Sequence, residues 1–125
     1  MDISAQEIEE LKKFVFSLNS KLDCAIIVEG KRDSLALKKI GVTGKVLEFH
    51  RFQGLRKFTD LVSNYNSIIL LLDRDRKGNY LTAKIIEQLE RRTKIDLSFK
   101  KRLVSITKGK IRFIEDLGCY ESFLN

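Results

Sequence analysis

The sequence predicts an α/β domain: a central parallel sheet of about four strands with helices on both faces. Two apolar runs carry that reading, Cys24-Ala-Ile-Ile-Val28 and Ser67-Ile-Ile-Leu-Leu-Leu72. Both are short for helices and neither alternates with polar residues, as expected of strands covered on both faces. Stretches with apolar residues at helical spacing separate these runs, through connections short enough to imply right-handed crossovers. A length of 125 residues suits one compact domain, read here as an N-terminal helix over 1–20, a core over 24–106 and a C-terminal helical tail over 111–125.

Each element has its own signal. Ile8, Leu11, Phe14, Val15 and Leu18 recur at helical spacing behind a cap at Ser4, with Glu7 three residues later. The first strand follows and ends at Glu29-Gly30, after which Leu35, Leu37 and Ile40 mark a helix that Gly41 closes. Lys45 to Phe49 reads as the second strand, and Leu55, Phe58, Leu61 and Val62 as the next helix. The run from Ser67 to Leu72 is the strongest strand and is placed at the centre. Leu81, Ile85, Ile86 and Leu89 resume the helical spacing, Arg102 to Ile106 reads as a fourth strand, and Ile111 to Leu124 as a helix broken by Gly118.

Composition narrows the function. The formal charge of +7, from 24 Lys and Arg against 17 Asp and Glu, favours a polyanionic partner, nucleic acid before an anionic membrane. No stretch approaches the roughly 20 apolar residues that cross a bilayer. Cys24 and Cys119 lie far apart without metal-ligand spacing, which fits a reducing compartment, and the acidic N-terminus is unlike a signal peptide. A cytoplasmic protein is expected, with no membrane contact.

Open parallel sheets bind their ligands beyond the carboxyl ends of the strands. Two loops there hold charge. Val28-Glu29-Gly30-Lys31-Arg32-Asp33 places a carboxylate at the end of a buried strand, with a glycine for the turn. Leu72-Asp73-Arg74-Asp75-Arg76-Lys77-Gly78 sets two aspartates two apart, on one side of extended backbone. Like charges so close repel, and a hard cation such as Mg2+ relieves them with oxygen ligands. Glu29, Asp73 and Asp75 are therefore expected to meet at the strand ends around a divalent metal.

These two loops resemble the two motifs of the Toprim family, found in topoisomerases, bacterial primases, recombination proteins and the nuclease that matures 5S ribosomal RNA. The order, spacing and strand context agree over roughly Cys24 to Ile106, as in small stand-alone Toprim proteins, including archaeal primase-like ones. The resemblance implies a Rossmann-like Toprim fold, Glu29 as general acid or base, and Asp73 and Asp75 as ligands of Mg2+ or Mn2+. It implies phosphodiester chemistry on RNA or DNA. The chain lacks an obvious topoisomerase tyrosine domain and the zinc-binding and helicase-interacting modules of a replicative primase, so a nuclease or another phosphodiester-transfer enzyme is the nearer analogue.

Plainer accounts stand beside these. Glu29 would otherwise pair with Lys31 or Arg32, and Asp73 and Asp75 would form a charged turn balanced by Arg74, Arg76 and Lys77 before Gly78. Lys31 fits a phosphate contact, and Asp33 either orients a ligand or caps the helix. His50 is read as a surface loop residue on the ligand side, with substrate binding or proton transfer as the alternative. Arg51, Phe52, Gln53 and Arg56 are read either as an aromatic and basic contact for single strands or, for Phe52, as packing under its loop. Lys100, Lys101 and Arg102, with Lys108 to Arg112, extend the positive surface, as phosphate contacts or as solvated charge. Tyr80, Tyr120 and Phe123 are assigned to packing in the core or an interface. Two function classes follow: a metal-dependent nuclease, or a non-catalytic RNA- or DNA-binding module docked on a larger nucleic-acid-processing complex, with a homodimer through the terminal helices compatible with either.

Overall fold

The computed structural model describes residues 2–124. Helix α1, Ala5–Asn19, starts where the Ser4 hydroxyl accepts the Glu7 N–H at 3.1 Å and buries Leu11, Phe14, Val15 and Leu18. Glu7, not Ile8, takes the inward position one turn before Leu11. Then follow β1 Cys24–Val28, α2 Lys31–Lys39, β2 Val46–Glu48, α3 Leu55–Val62, β3 Ser67–Leu70 and α4 Arg76–Leu89. After β4 Lys94–Asp96 and α5 Ser98–Ile106, a 3-10 segment Ile114–Tyr120 leads into the single turn α6, Glu121–Leu124.

The four strands are parallel, in the order β2-β1-β3-β4. Successive residues of the two central strands face opposite layers, which is why neither strand alternates in sequence. Ile26, Val28, Ile69 and Leu71 pack in one layer with residues of α1, α2, α5 and the C-terminal segment. Ala25, Ile27, Ile68, Leu70 and Leu72 pack in the other with residues of α3 and α4. Among the described residues, no helix is long and apolar enough to cross a membrane.

The sheet has four strands as expected, but the fourth is not Arg102 to Ile106. That stretch is the second half of α5, because Phe99, Leu103 and Ile106 recur at helical spacing and turn toward the core together. The true fourth strand, Lys94-Ile95-Asp96, is a charged edge strand of three residues, too short and too polar to announce itself. The C-terminal tail also differs. Residues 111–113 are not helical, Gly118 lies within the 3-10 segment, and Asn125 is outside the described residues. Nor is the segment a loose tail: Ile111, Ile114, Leu117 and Tyr120 are buried in the same layer as α1 and α2.

Candidate active site

The chain leaves β1 toward β2 on one side and returns to β3 on the other, and α2 and α3 flank opposite faces of the sheet. Such a switch point opens a crevice at the carboxyl ends of the two central strands. Pairing of Ile27 with Leu70 brings Glu29 and Asp73 to neighbouring strand ends. There they line a cleft of about 410 Å³ together with Lys31, Asp33, His50, Lys77 and Glu115.

The carboxylates are held in different ways. Asp73 Oδ1 accepts the Ile114 N–H at 2.7 Å, and Asp75, the N-cap of α4, accepts the Gly78 N–H on Oδ1 at 2.7 Å. Each makes this contact through one oxygen. Glu29 Oε1 is buried with no hydrogen-bond partner. Burial, then the charges of Asp73 and Asp75, push the Glu29 carboxyl above its ordinary range against the pull of Lys77. Asp73 is raised too, by burial against the Ile114 amide, with Asp33 and Asp75 adding repulsion. Among the described residues no three His, Cys, Asp or Glu side chains converge into a metal-binding group, so the expected cage of Glu29, Asp73 and Asp75 is not closed: Glu29 and Asp73 line the cleft, while Asp75 caps α4 beside it.

Two glycines differ in what they do. A Cβ on Gly78 would lie 2.0 Å from the Asp73 carbonyl oxygen and 3.0 Å from Asp75 Oδ1, so only glycine lets α4 begin against the turn. Gly30 is extended, with φ −151° and ψ −172°, and a Cβ there would meet His50 Nδ1 at an ordinary 3.5 Å; its backbone does not require glycine. Asp33 proves to be a cap, its Oδ2 accepting the Gly30 N–H at 3.1 Å, and its carboxyl is raised by burial. His50 stands at the rim, with Nδ1 3.2 Å from the Glu29 carbonyl oxygen.

The expected basic residues separate by environment. Lys31 and Lys77 line the cleft. Lys100, on the first turn of α5, is half-buried; burial and Arg74 lower its ammonium, while Asp73, Asp75 and Glu29 pull it back up. Arg76, Arg56 and Lys101 are exposed. Three are committed elsewhere. Arg74 reaches the carbonyls of Gly109 (2.9 Å) and Ile111 (3.1 Å), Arg51 bonds Glu48 Oε1 at 2.8 Å, and Arg102 lies over the rings of Phe14 and Phe99. Phe52 packs edge-on against Phe58, the bland alternative.

A profile of the Toprim domain matches residues 24–114. The chain belongs to the Toprim domain family. Relatives described as UPF0292 proteins are similar along most of its length. That of Thermococcus sibiricus is 35% identical over 121 residues, 95% of this chain and 94% of the relative. That of Methanosarcina acetivorans is 31% identical over 128 residues, 99% of this chain and 88% of the relative. A solved structure, a putative protein from Aquifex aeolicus, superposes with a TM-score of 0.62 at 28% identity, covering 93% of this chain and 99% of the other. Toprim domains typically bind Mg2+, and Toprim membership points to nucleic-acid processing.

The Toprim match runs past residue 106 to Ile114, the residue whose amide holds Asp73. That contact, Glu115 in the cleft, and the exposure of Tyr80 and Phe113 were not foreseen from sequence. Only the turn at Gly109 and the acidic pair Glu115-Asp116, opening a helical segment, hinted at a returning loop. Of the two packing alternatives for Tyr80, core or interface, its 64% exposure removes the core.

Proposed function

We propose that this chain cleaves phosphodiester bonds of RNA or DNA with the help of Mg2+ or Mn2+, Glu29 moving the proton and Asp73 and Asp75 holding the cation. The observation that carries the reading is the Glu29 carboxylate, which ends a strand with Oε1 buried, unpartnered and beside like charges. A structural carboxylate so placed is normally paired. Arg32, its candidate partner in sequence, instead lies 3.9 Å from Glu115.

The donor set suits a hard cation. Asp73 and Asp75 each spend one oxygen on a backbone amide, which fixes the carboxyl and leaves the other free. Mg2+ typically takes one or two carboxylates and fills its shell with water and substrate phosphate, so no cage of three is required. The bound ion would supply charge to offset that building on the phosphate. Glu29, holding its proton to higher pH than a free glutamate, suits giving a proton to the leaving oxygen or taking one from the attacking water. Lys77 and Lys31, both lining the cleft, suit orienting the phosphate.

The test is cleavage of labelled single- and double-stranded RNA and DNA with Mg2+ or Mn2+, by the native protein, by Glu29→Gln and by Asp73→Asn with Asp75→Asn. Metal-dependent products lost in both variants support the enzyme. Binding without products, unaltered by the substitutions, would make the chain a binding module for a larger processing complex.

A further inference from the structure

Two exposed aromatic rings stand next in the chain to groups that bond the Asp73-Arg74-Asp75 turn, and each has a cation over it. Tyr80 is 64% exposed, with Lys84 Nζ 5.7 Å from its ring centroid. Phe113 is 37% exposed, with the Arg112 guanidinium 5.8 Å from its centroid. Backbone bonds tie both to the turn. The Gly78 amide, two residues before Tyr80, holds Asp75, while the Arg112 carbonyl accepts the Arg74 amide at 2.8 Å and the Ile114 amide holds Asp73.

Along α4, Lys77, Tyr80 and Lys84 stand at i, i+3 and i+7, one stripe of a helix face that begins at the cleft Lys77 lines. Folding does not account for that stripe, since these rings contribute little to the core. An exposed aromatic ring with a cationic side chain close by matches a nucleobase and its phosphate. In a duplex the faces of the bases are covered by their neighbours, and such rings have nothing to stack on.

We propose that the cleft takes unpaired, single-stranded nucleic acid, with bases stacked on Tyr80 and Phe113 and backbone phosphates on Lys77, Lys84 and Arg112. This rests on the nucleic-acid reading above and adds the form of the substrate. The rings set strandedness, and the carboxylates set the chemistry.

The test is binding of short labelled oligo(dT) and oligo(U), and of hairpin duplexes, with and without Mg2+, to the native protein, Tyr80→Ala, Phe113→Ala and Tyr80→Phe. The native protein should favour the single strands. Each alanine should weaken single-strand binding by roughly 5- to 150-fold, the equivalent of ~1–3 kcal/mol per stacked base, and leave duplex binding nearly unchanged, while Tyr80→Phe keeps its affinity. Because the chain has no tryptophan, Tyr80→Trp adds a clean fluorescence signal, which single strands should quench and duplexes should not. Preference for duplex, unchanged affinity in both alanine variants, or equal loss for both forms overturns the inference. If those variants keep full Mg2+-dependent cleavage and affinity, the nuclease reading stands without it; a native protein that neither binds nor cleaves any of these single strands or duplexes removes both.

Discussion

Glu29 is charged in the unfolded chain at neutral pH without penalty, but in the native cleft it faces burial, Asp73 and Asp75. Its native pKa is raised, so its contribution to stability is present in acid and is lost as pH rises through the native value. Glu29→Gln should therefore melt higher than the native protein at pH 7, and the gain should shrink toward zero below about pH 4, near the ordinary glutamate value. A thermal melt series reads this directly, and no gain at neutral pH would remove the repulsion argument. The same variant should cut cleavage by roughly 10²–10⁴, the usual worth of a positioned proton donor or acceptor. Stability and activity are expected to move in opposite directions at this one residue.

At the scale of elements, the cleft depends on how α4 and the C-terminal segment dock on the Asp73-Arg74-Asp75 turn. Gly78→Ala puts a methyl group into the Asp73 carbonyl, so α4 must start elsewhere, at a cost at or above the ~1–3 kcal/mol of ordinary overpacking. Arg74→Ala frees the carbonyls of Gly109 and Ile111 and should cost about 1–3 kcal/mol, with faster hydrogen exchange at Ile114 as the local readout. The turn itself was legible in sequence, because Ser67 to Leu72 is apolar throughout and stops abruptly at Asp73. The same holds for Glu29, at the end of another wholly apolar run. What was not legible depended on long-range contact. Lys94-Ile95-Asp96 pairs as an edge strand without any period of its own, and residues 109–114 owe their course to Arg74, more than 30 positions earlier.

Across the whole molecule, the first helix and the last segment are joined by one buried polar knot. Glu7 is 3% exposed, receives Lys110 Nζ at 2.9 Å on both oxygens and the Tyr120 hydroxyl at 2.6 Å. Burial alone would raise its carboxyl, but the Tyr120 and Lys110 hydrogen bonds outweigh it and hold the carboxyl low. A lowered native pKa gives stability above the ordinary glutamate value and loses it as pH falls through the native one. Lys110→Met leaves that carboxylate buried without its cation and should cost on the order of 3 kcal/mol at pH 7, less in strong acid, as measured by denaturant titration across pH. Millimolar Mg2+ should raise the melting temperature at neutral pH, and Asp73→Asn with Asp75→Asn should abolish that rise. The Ile114 amide that fixes Asp73 lies 41 positions after it. Chains emerge from the ribosome at about 5–20 residues per second, so some 2–8 seconds separate the two groups during synthesis. Over that interval a nascent chain carries both central strands and the acidic turn but not the amide that fixes Asp73, so the candidate site is completed only when the C-terminal segment docks.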